Sequence, residues 1–426
     1  MSRRYGGPGA GRLTFRQGLV AGGASMLVLV LLVLGLTGNG SGPEPAASAG
    51  AVRAAGPAAS ATAAPQPSTS VATAGASPTA QQDDEDDDEE DEVDQQDQQD
   101  QDGGSAASAA GASVSGAPRA DRLPSSDRVS CPVATRTVAT AAELTAALAG
   151  AAPGDVIELA DGTYSGAFTA TTSGNAGAPI WLCGGREAVL DAGGPKEGYG
   201  FHLAGAQHWR LVGFTVRNAQ KGVVADGTSG SVLQDLLVED IGDEAIHLRS
   251  GSTGNAVLDC TVSRTGLRKE KFGEGIYVGS AESNWDKYGE GGGPDRSDYN
   301  LVARNDISGT TSESVDIKEG TTGGALVGNT FDGTGMSSAD SWVDVKGNDW
   351  LIRGNTGRNT PGDGLQTHRI LDGWGTGNVF DANVLDVPAP GAAISIHKPK
   401  VTDNRILCTN RDSSGRPVTT SPACSG

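Results

Sequence analysis

The sequence predicts an all-β chain: a single-stranded right-handed parallel β-helix, or solenoid, with a short N-terminal capping helix, over residues 128–426. Three observations predict it. Short apolar alternations recur every 22 to 39 residues from position 200 onward, with a second series of alternations between them. Five asparagines fall into one column of that second series. Beyond residue 150, helix signals are almost absent while glycine and other turn formers punctuate every repeat.

Taken in order, the chain opens with four arginines, Arg3, Arg4, Arg12 and Arg16, ahead of an uncharged apolar run from Leu19 to Gly38. This is an export signal, and both a cleaved signal peptide and an uncleaved membrane anchor fit residues 1–38. The expected location is therefore secreted, or anchored to the cell membrane and facing outside. Residues 39–127 are rich in Ala, Ser, Thr, Pro and Gly and hold an acidic tract at 83–102. So few large apolar groups cannot offset the entropy of ordering, which predicts a disordered stalk. The tract carries 14 of the 52 acidic residues, so 38 remain against 32 basic ones and the folded part is only mildly acidic. No basic face or aromatic-basic motif points to nucleic acid. Contact with a membrane is expected only through the N-terminal segment, and the folded part is expected to be a monomer.

In TVATAAELTAALAG, Thr140 and Glu143 form a capping box before a helix ending near Gly150. A strand at 156–159 and a tight turn at Asp161 and Gly162 follow. The helix is expected to cover the first coil, whose open edge would otherwise template aggregation. Five cysteines in an exported chain suggest pairing of Cys131 with Cys183 and of Cys408 with Cys424, leaving Cys260 buried and free.

The first strand series includes AIHLRS, GIYVGS, SVDIKE, WVDVKG, LQTHRI and AISIHK. The second aligns Phe214, Leu236, Cys260, Asn305, Asn329, Asn355, Asn383 and Asn404 in one column. Asparagine tolerates a left-handed turn conformation, and stacked amides bond from coil to coil. Between Cys260 and Asn305 the spacing is one coil too long, and the excess lies in 265–274 and 281–298, which are expected to loop out and carry function.

Period-two alternation sends Ile246, Ile276, Val315 and Val343 inward and their neighbours outward. One outward column is then His247, Tyr277, Asp316, Asp344, Gln366 and Ser395; the next is Asp226, Arg249, Gly279, Lys318, Lys346, His368 and His397. Glu244, Glu274, Glu313 and Asp363 stand at the corner before the strand. Adjacent coils lie about 4.8 Å apart, so these residues form one polar wall. The corner carboxylates offer oxygen ligands for calcium, with Glu274, Glu313 and Asp316 as the metal set. Lys318 and Lys346 stand a few ångströms from these carboxylates. Arg249, Tyr277, His368 and the loop residues Trp285 and Trp374 are candidate substrate contacts, the aromatics suited to stacking on sugar rings.

At this point a resemblance enters. PGDVIELADGTYSG, TSGNAGAPIWLCG and HWRLVGFTV resemble the N-terminal coils of the chondroitinase B and alginate lyase family of polysaccharide lyases. ESVDIKEGTTGGALVGNTF resembles that family's rung in which a calcium-binding Glu precedes the catalytic Lys by five positions, here Glu313 and Lys318. In the next rung the family has its catalytic arginine where this sequence has Lys346, so the resemblance makes Lys318 and Lys346 the candidate catalytic pair. The resemblance implies calcium-assisted cleavage of an acidic, uronate-containing polysaccharide by β-elimination. The cation would neutralise the uronate carboxylate and make the C5 proton removable by a lysine in its neutral form. Two other readings use the same wall: a non-catalytic glycan-binding or adhesive module displayed on the stalk, and a glycoside hydrolase using Asp316 and Asp344 on adjacent coils.

Overall fold

A computed structural model describes residues 121–425 of the chain; the expected signal segment and the acidic tract lie outside the described residues. The polypeptide winds through about ten coils, each contributing strands to three parallel sheets. Sheet A has eleven strands, sheet B nine and sheet C ten among the described residues. A typical coil runs from Ile246–Arg249 in sheet C to Ala256–Leu258 in sheet A and Thr261–Ser263 in sheet B, then rises to Ile276–Val278 in sheet C.

Most strands have an apolar residue facing the interior, and in a parallel stack one coil's residue lies directly over the next. Register is thus fixed by the core itself: Ile246, Ile276, Val315, Val343, Leu365 and Ile394 follow one another as paired positions in sheet C, and all are fully buried. A one-residue slip would turn each of them to solvent, at about 1.5–3 kcal/mol per side chain.

The capping helix α1 spans Ala141–Ala149, begins with the Thr140–Glu143 capping box and ends at Gly150. Its buried Leu144, Ala147 and Leu148 join the core cluster, closing the N-terminal end. Both expected disulfides are present, Cys131–Cys183 and Cys408–Cys424, and Cys260 is a buried free thiol. Burial pushes that thiol up to about 12, so it is an inert core group.

The asparagine column is a ladder, with two corrections. The Oδ1 of each member accepts the backbone N–H of its counterpart one coil earlier: Asn305 from Cys260, Asn329 from Asn305, Asn355 from Asn329 and Asn383 from Asn355. The next member is Asn410, not Asn404. Asn404 precedes strand Arg405–Ile406, which pairs with Val379–Asp381 of sheet A. It belongs to a second ladder at the other end of that sheet, where it accepts from the N–H of Asn378. Nor do the ladder asparagines adopt the left-handed conformation. The residue before Cys260, Asn305, Asn329, Asn355 and Asn383 does, namely Asp259, Arg304, Gly328, Gly354 and Ala382. The asparagines stay in ordinary backbone and serve through their amides.

Packing begins ahead of residue 128. Residues 122–129 run along the outer face of sheet A, where Leu123 and Val129 cover a patch of Val232, Ala256, Leu258, Leu301, Ala303 and Ala325. Gln234 holds the strap from both sides, accepting the Val129 N–H at 2.7 Å and donating to its carbonyl at 2.9 Å.

Candidate functional site

The outer face of sheet C carries the polar wall expected from the alternation. Register places His247, Tyr277, Asp316, Asp344, Gln366 and Ser395 in one column. Two residues further along each strand end, Lys318 and Lys346 stand beside the turn toward sheet A, whereas Glu244, Glu274 and Glu313 occupy the opposite corner, next to sheet B.

The structure brings the three expected metal ligands together. One carboxylate oxygen each of Glu274, Glu313 and Asp316 lies within 4.8 Å of the other two. Like charges this close cannot all stay ionised without a cation. Burial, and then the charges of Glu244, Glu313 and Asp316, hold the Glu274 carboxyl well above the usual carboxylate range. Burial together with Asp344 and Asp316 pushes Glu313 up to about 8. The Oε2 of Glu274 is buried without a hydrogen-bond partner among the described residues. An all-oxygen set of three carboxylates with an unsatisfied buried oxygen fits a hard divalent cation such as calcium.

Lys318 and Lys346 meet at Asp316, at 3.1 and 3.3 Å. Lys346 also lies 3.6 Å from Asp344, and His368 approaches Asp344 at 3.2 Å. Burial works against the Asp344 anion, but His368 and Lys346 hold its carboxyl below the ordinary range. Lys346 is only 1% exposed, locked between two carboxylates. Lys318 reaches over the ring of Tyr277, 5.3 Å from its centroid, and the His247 ring packs against that tyrosine at 4.4 Å. An amine and a phenol thus stand side by side on adjacent coils next to the carboxylate cluster.

The remaining expected contacts fall on the rim. Arg249 is 3% exposed; its Nε donates to Asp226 at 2.7 Å, and the Tyr288 ring stacks on its guanidinium at 4.1 Å. These contacts brace the wall. His368 contacts Gln366 at 2.8 Å and stacks on His397 at 4.3 Å. Trp285, on the four-residue helix α2 (Trp285–Tyr288), meets Trp374 from the loop after Leu365–Thr367, with ring centroids 6.4 Å apart.

Three contributors were missed by sequence reasoning. Lys221 occupies the corner column one coil before Glu244 and donates to it at 2.8 Å; burial alone would raise the Glu244 carboxyl, but Lys221 and His247 hold it below the usual range. Extending the corner column back one repeat would have found this residue. His202 pairs with Asp226 at 2.7 Å and lies in the His247 column, two coils earlier. Glu319, directly after Lys318, accepts the Glu282 N–H at 2.6 Å and pins the base of the 281–298 loop; no periodic signal marks it.

No known protein-family profile matches the sequence, and no curated protein matches it. Among solved structures, the chain is similar to an alginate lyase from Paenibacillus sp. str. FPU-7, at 34% identity over 67% of this chain and 97% of that one, with a TM-score of 0.62. It is also similar to the pectate lyase Pel9A, at 16% identity over 66% and 75% of the two chains and a TM-score of 0.42. A mannuronic-acid-specific family 6 polysaccharide lyase from human gut microbiota matches at 14% identity over 64% and 72%, with a TM-score of 0.41. Given the first of these, spanning nearly the whole of that enzyme, the chain belongs to the family of parallel β-helix polysaccharide lyases that includes the Paenibacillus alginate lyase.

Proposed function

We propose that this protein cleaves an acidic, uronate-containing polysaccharide by β-elimination outside the cell, with alginate the first candidate substrate. The observation that carries the reading is the placement of Lys318 and Tyr277, two proton-carrying groups on adjacent coils, beside the cluster Glu274, Glu313 and Asp316. β-Elimination needs one group to take the C5 proton and another to protonate the departing glycosidic oxygen. Lys318, in its neutral amine form, takes the first role and becomes the ammonium, and Tyr277 takes the second; the C5–H electrons become the C4–C5 double bond as the C4–O bond breaks. A divalent cation on Glu274, Glu313 and Asp316 would neutralise the uronate carboxylate and so acidify the C5 proton. Lys346, buried between Asp316 and Asp344, offsets part of their negative charge. Two disulfides suit an oxidising compartment, and the identity to an alginate lyase supports the substrate.

The hydrolase reading is less well served. Asp344 is held below its ordinary range by His368 and Lys346, so it is not the protonated acid that hydrolysis requires. The test is incubation with alginate, pectate, chondroitin and hyaluronan, following the ultraviolet absorbance of the unsaturated uronate. Alginate is expected to give product with the native chain and none with Lys318→Ala, which should still melt as the native chain does. Glycan binding without product from the native chain would establish the adhesive reading instead.

A further inference from the structure

Five indole-bearing positions beyond the first coils sort into two kinds. Trp209, Trp342 and Trp350 are fully buried in the helix interior. Trp285 and Trp374 are only half-buried, lie 89 residues apart, and meet on the outside. Their loops leave the same corner of the helix, one after Ile276–Val278 and the other after Leu365–Thr367. The two coils between carry Lys318 and Lys346 and turn without long insertions. Three coil steps separate the parent strands, about 14 Å, so the loops must lean toward each other over the lysine row to bring the rings to 6.4 Å.

Anchoring does not account for this pair. The 281–298 loop is already tied by Asp295, which is fully buried and accepts from the N–H groups of Ser250 and Gly251 and the hydroxyls of Ser280 and Ser297. Glu319 ties it again at Glu282. On the other side, the Gly375 N–H donates to the Lys346 carbonyl at 2.9 Å, and Asn348 holds the backbone of Gly373 and Thr376. Arg296 lies over the Trp374 ring at 5.6 Å and the Trp285 N–H is used on the Ser280 carbonyl, so both indoles are fixed in orientation while part of each ring remains open to solvent. A rigid, part-exposed aromatic pair bordering a charged floor matches a pyranose ring, which offers apolar C–H faces and polar edges.

We propose that Trp285 and Trp374 form a pyranose-stacking subsite, built from two separate loops, which holds the glycan chain in register over Lys318. This rests on the polyuronate reading above. Stacking that is equal in the ground and transition states moves KM more than kcat. With alginate as the probe, Trp374→Ala and Trp285→Ala should each raise KM about tenfold with kcat within about threefold of the native value. Trp374→Phe, which keeps an aromatic face, should recover most of the loss. Near-ultraviolet circular dichroism should show the coupled-indole signal disappearing in either alanine variant. Independently of turnover, saturated alginate hexamers should bind Lys318→Ala and quench its tryptophan fluorescence, and binding should fall about tenfold when Trp374→Ala is added. If alginate is cleaved with KM unmoved in the folded alanine variants, or unmoved by Trp374→Phe where alanine disturbs folding, the stacking proposal is overturned and the lyase reading stands. If the native chain never cleaves alginate yet the hexamers bind in a Trp374-dependent way, the subsite stands and the lyase reading falls. Absence of both binding and cleavage refutes both.

Discussion

Replacing Asn355 by alanine is the sharpest test of what holds the coils together. The fully buried Asn355 amide makes four hydrogen bonds: Oδ1 accepts from the N–H and the Nδ2 of Asn329, and Nδ2 donates to the Leu326 carbonyl and to Asn383 Oδ1. Alanine removes all four. Two of the partners, the Asn329 N–H and the Leu326 carbonyl, are backbone groups that then lie buried and unsatisfied, at about 1–3 kcal/mol each. The expected loss is thus about 2–6 kcal/mol, in the range reserved for broken buried networks. Urea unfolding followed by circular dichroism measures it, with Thr356→Ala as control, since that neighbour is exposed and should shift stability by less than about 0.5 kcal/mol. Glycan affinity should not change, because the ladder lies at the turn between sheets A and B, away from the sheet C wall. A stability loss below about 0.5 kcal/mol, or lost binding at full stability, would refute the ladder argument.

Other consequences follow from the same geometry. With its carboxyl raised to about 8 against an ordinary 4.5, Glu313 binds its proton more tightly in the folded chain. Its contribution is therefore fully present below about pH 4.5 and is lost as pH rises through 8, at up to about 1.4 kcal/mol per pH unit; chelator-treated protein should melt progressively lower between pH 5 and 9, and a flat profile would count against the cluster. Added calcium should reverse that loss more strongly at pH 8 than at pH 5, because protons compete for the same oxygens; calcium without effect on melting at any pH would exclude the site. Arg249→Ala should weaken glycan binding indirectly, by freeing Tyr288 and leaving Asp226 without its guanidinium partner, and should lower the melting temperature as well; altered binding at native stability would show that Arg249 touches the ligand. Deleting residues 121–127 should expose the apolar patch on sheet A and raise binding of a hydrophobic dye, whereas unchanged dye binding would mean that the strap adds nothing.

Alternation and repeat length made the sheet C wall legible, because in a parallel stack one strand's inward residue dictates which residues of every coil face out. The carboxylate triad followed for the same reason: Glu274 and Glu313 share a column, and Asp316 stands in the adjacent one. What escaped had no periodic signature. Asn404 was assigned to the wrong ladder because VTDNRIL carries the same alternation as its neighbours while joining a different sheet. The strap at 121–129 has the composition of a linker, and only its contacts with Gln234 and the sheet A patch give it a place. Trp285 and Trp374 were each visible as loop aromatics, but their meeting depends on how two loops lean, which no local pattern encodes.

The fold does not require the charges of the corner column. The position held by Glu244, Glu274 and Glu313 is held by Lys221 one coil before them and by Ser341 one coil after. Both of those coils close with intact strand pairing, so the backbone needs no carboxylate there. Glu274 and Glu313 nevertheless sit where burial and mutual repulsion raise both carboxyls, at a cost that a serine would avoid. At the two ends of the cluster the chain supplies its own cations: Lys221 reaches Glu244 at 2.8 Å, and Lys318 and Lys346 reach Asp316. In the middle, among the described residues, none lies within hydrogen-bond reach of Glu274 Oε2. A fold that compensates the flanks and leaves the centre anionic, next to an amine and a phenol, has kept a place for a cation or a proton that the chain does not provide.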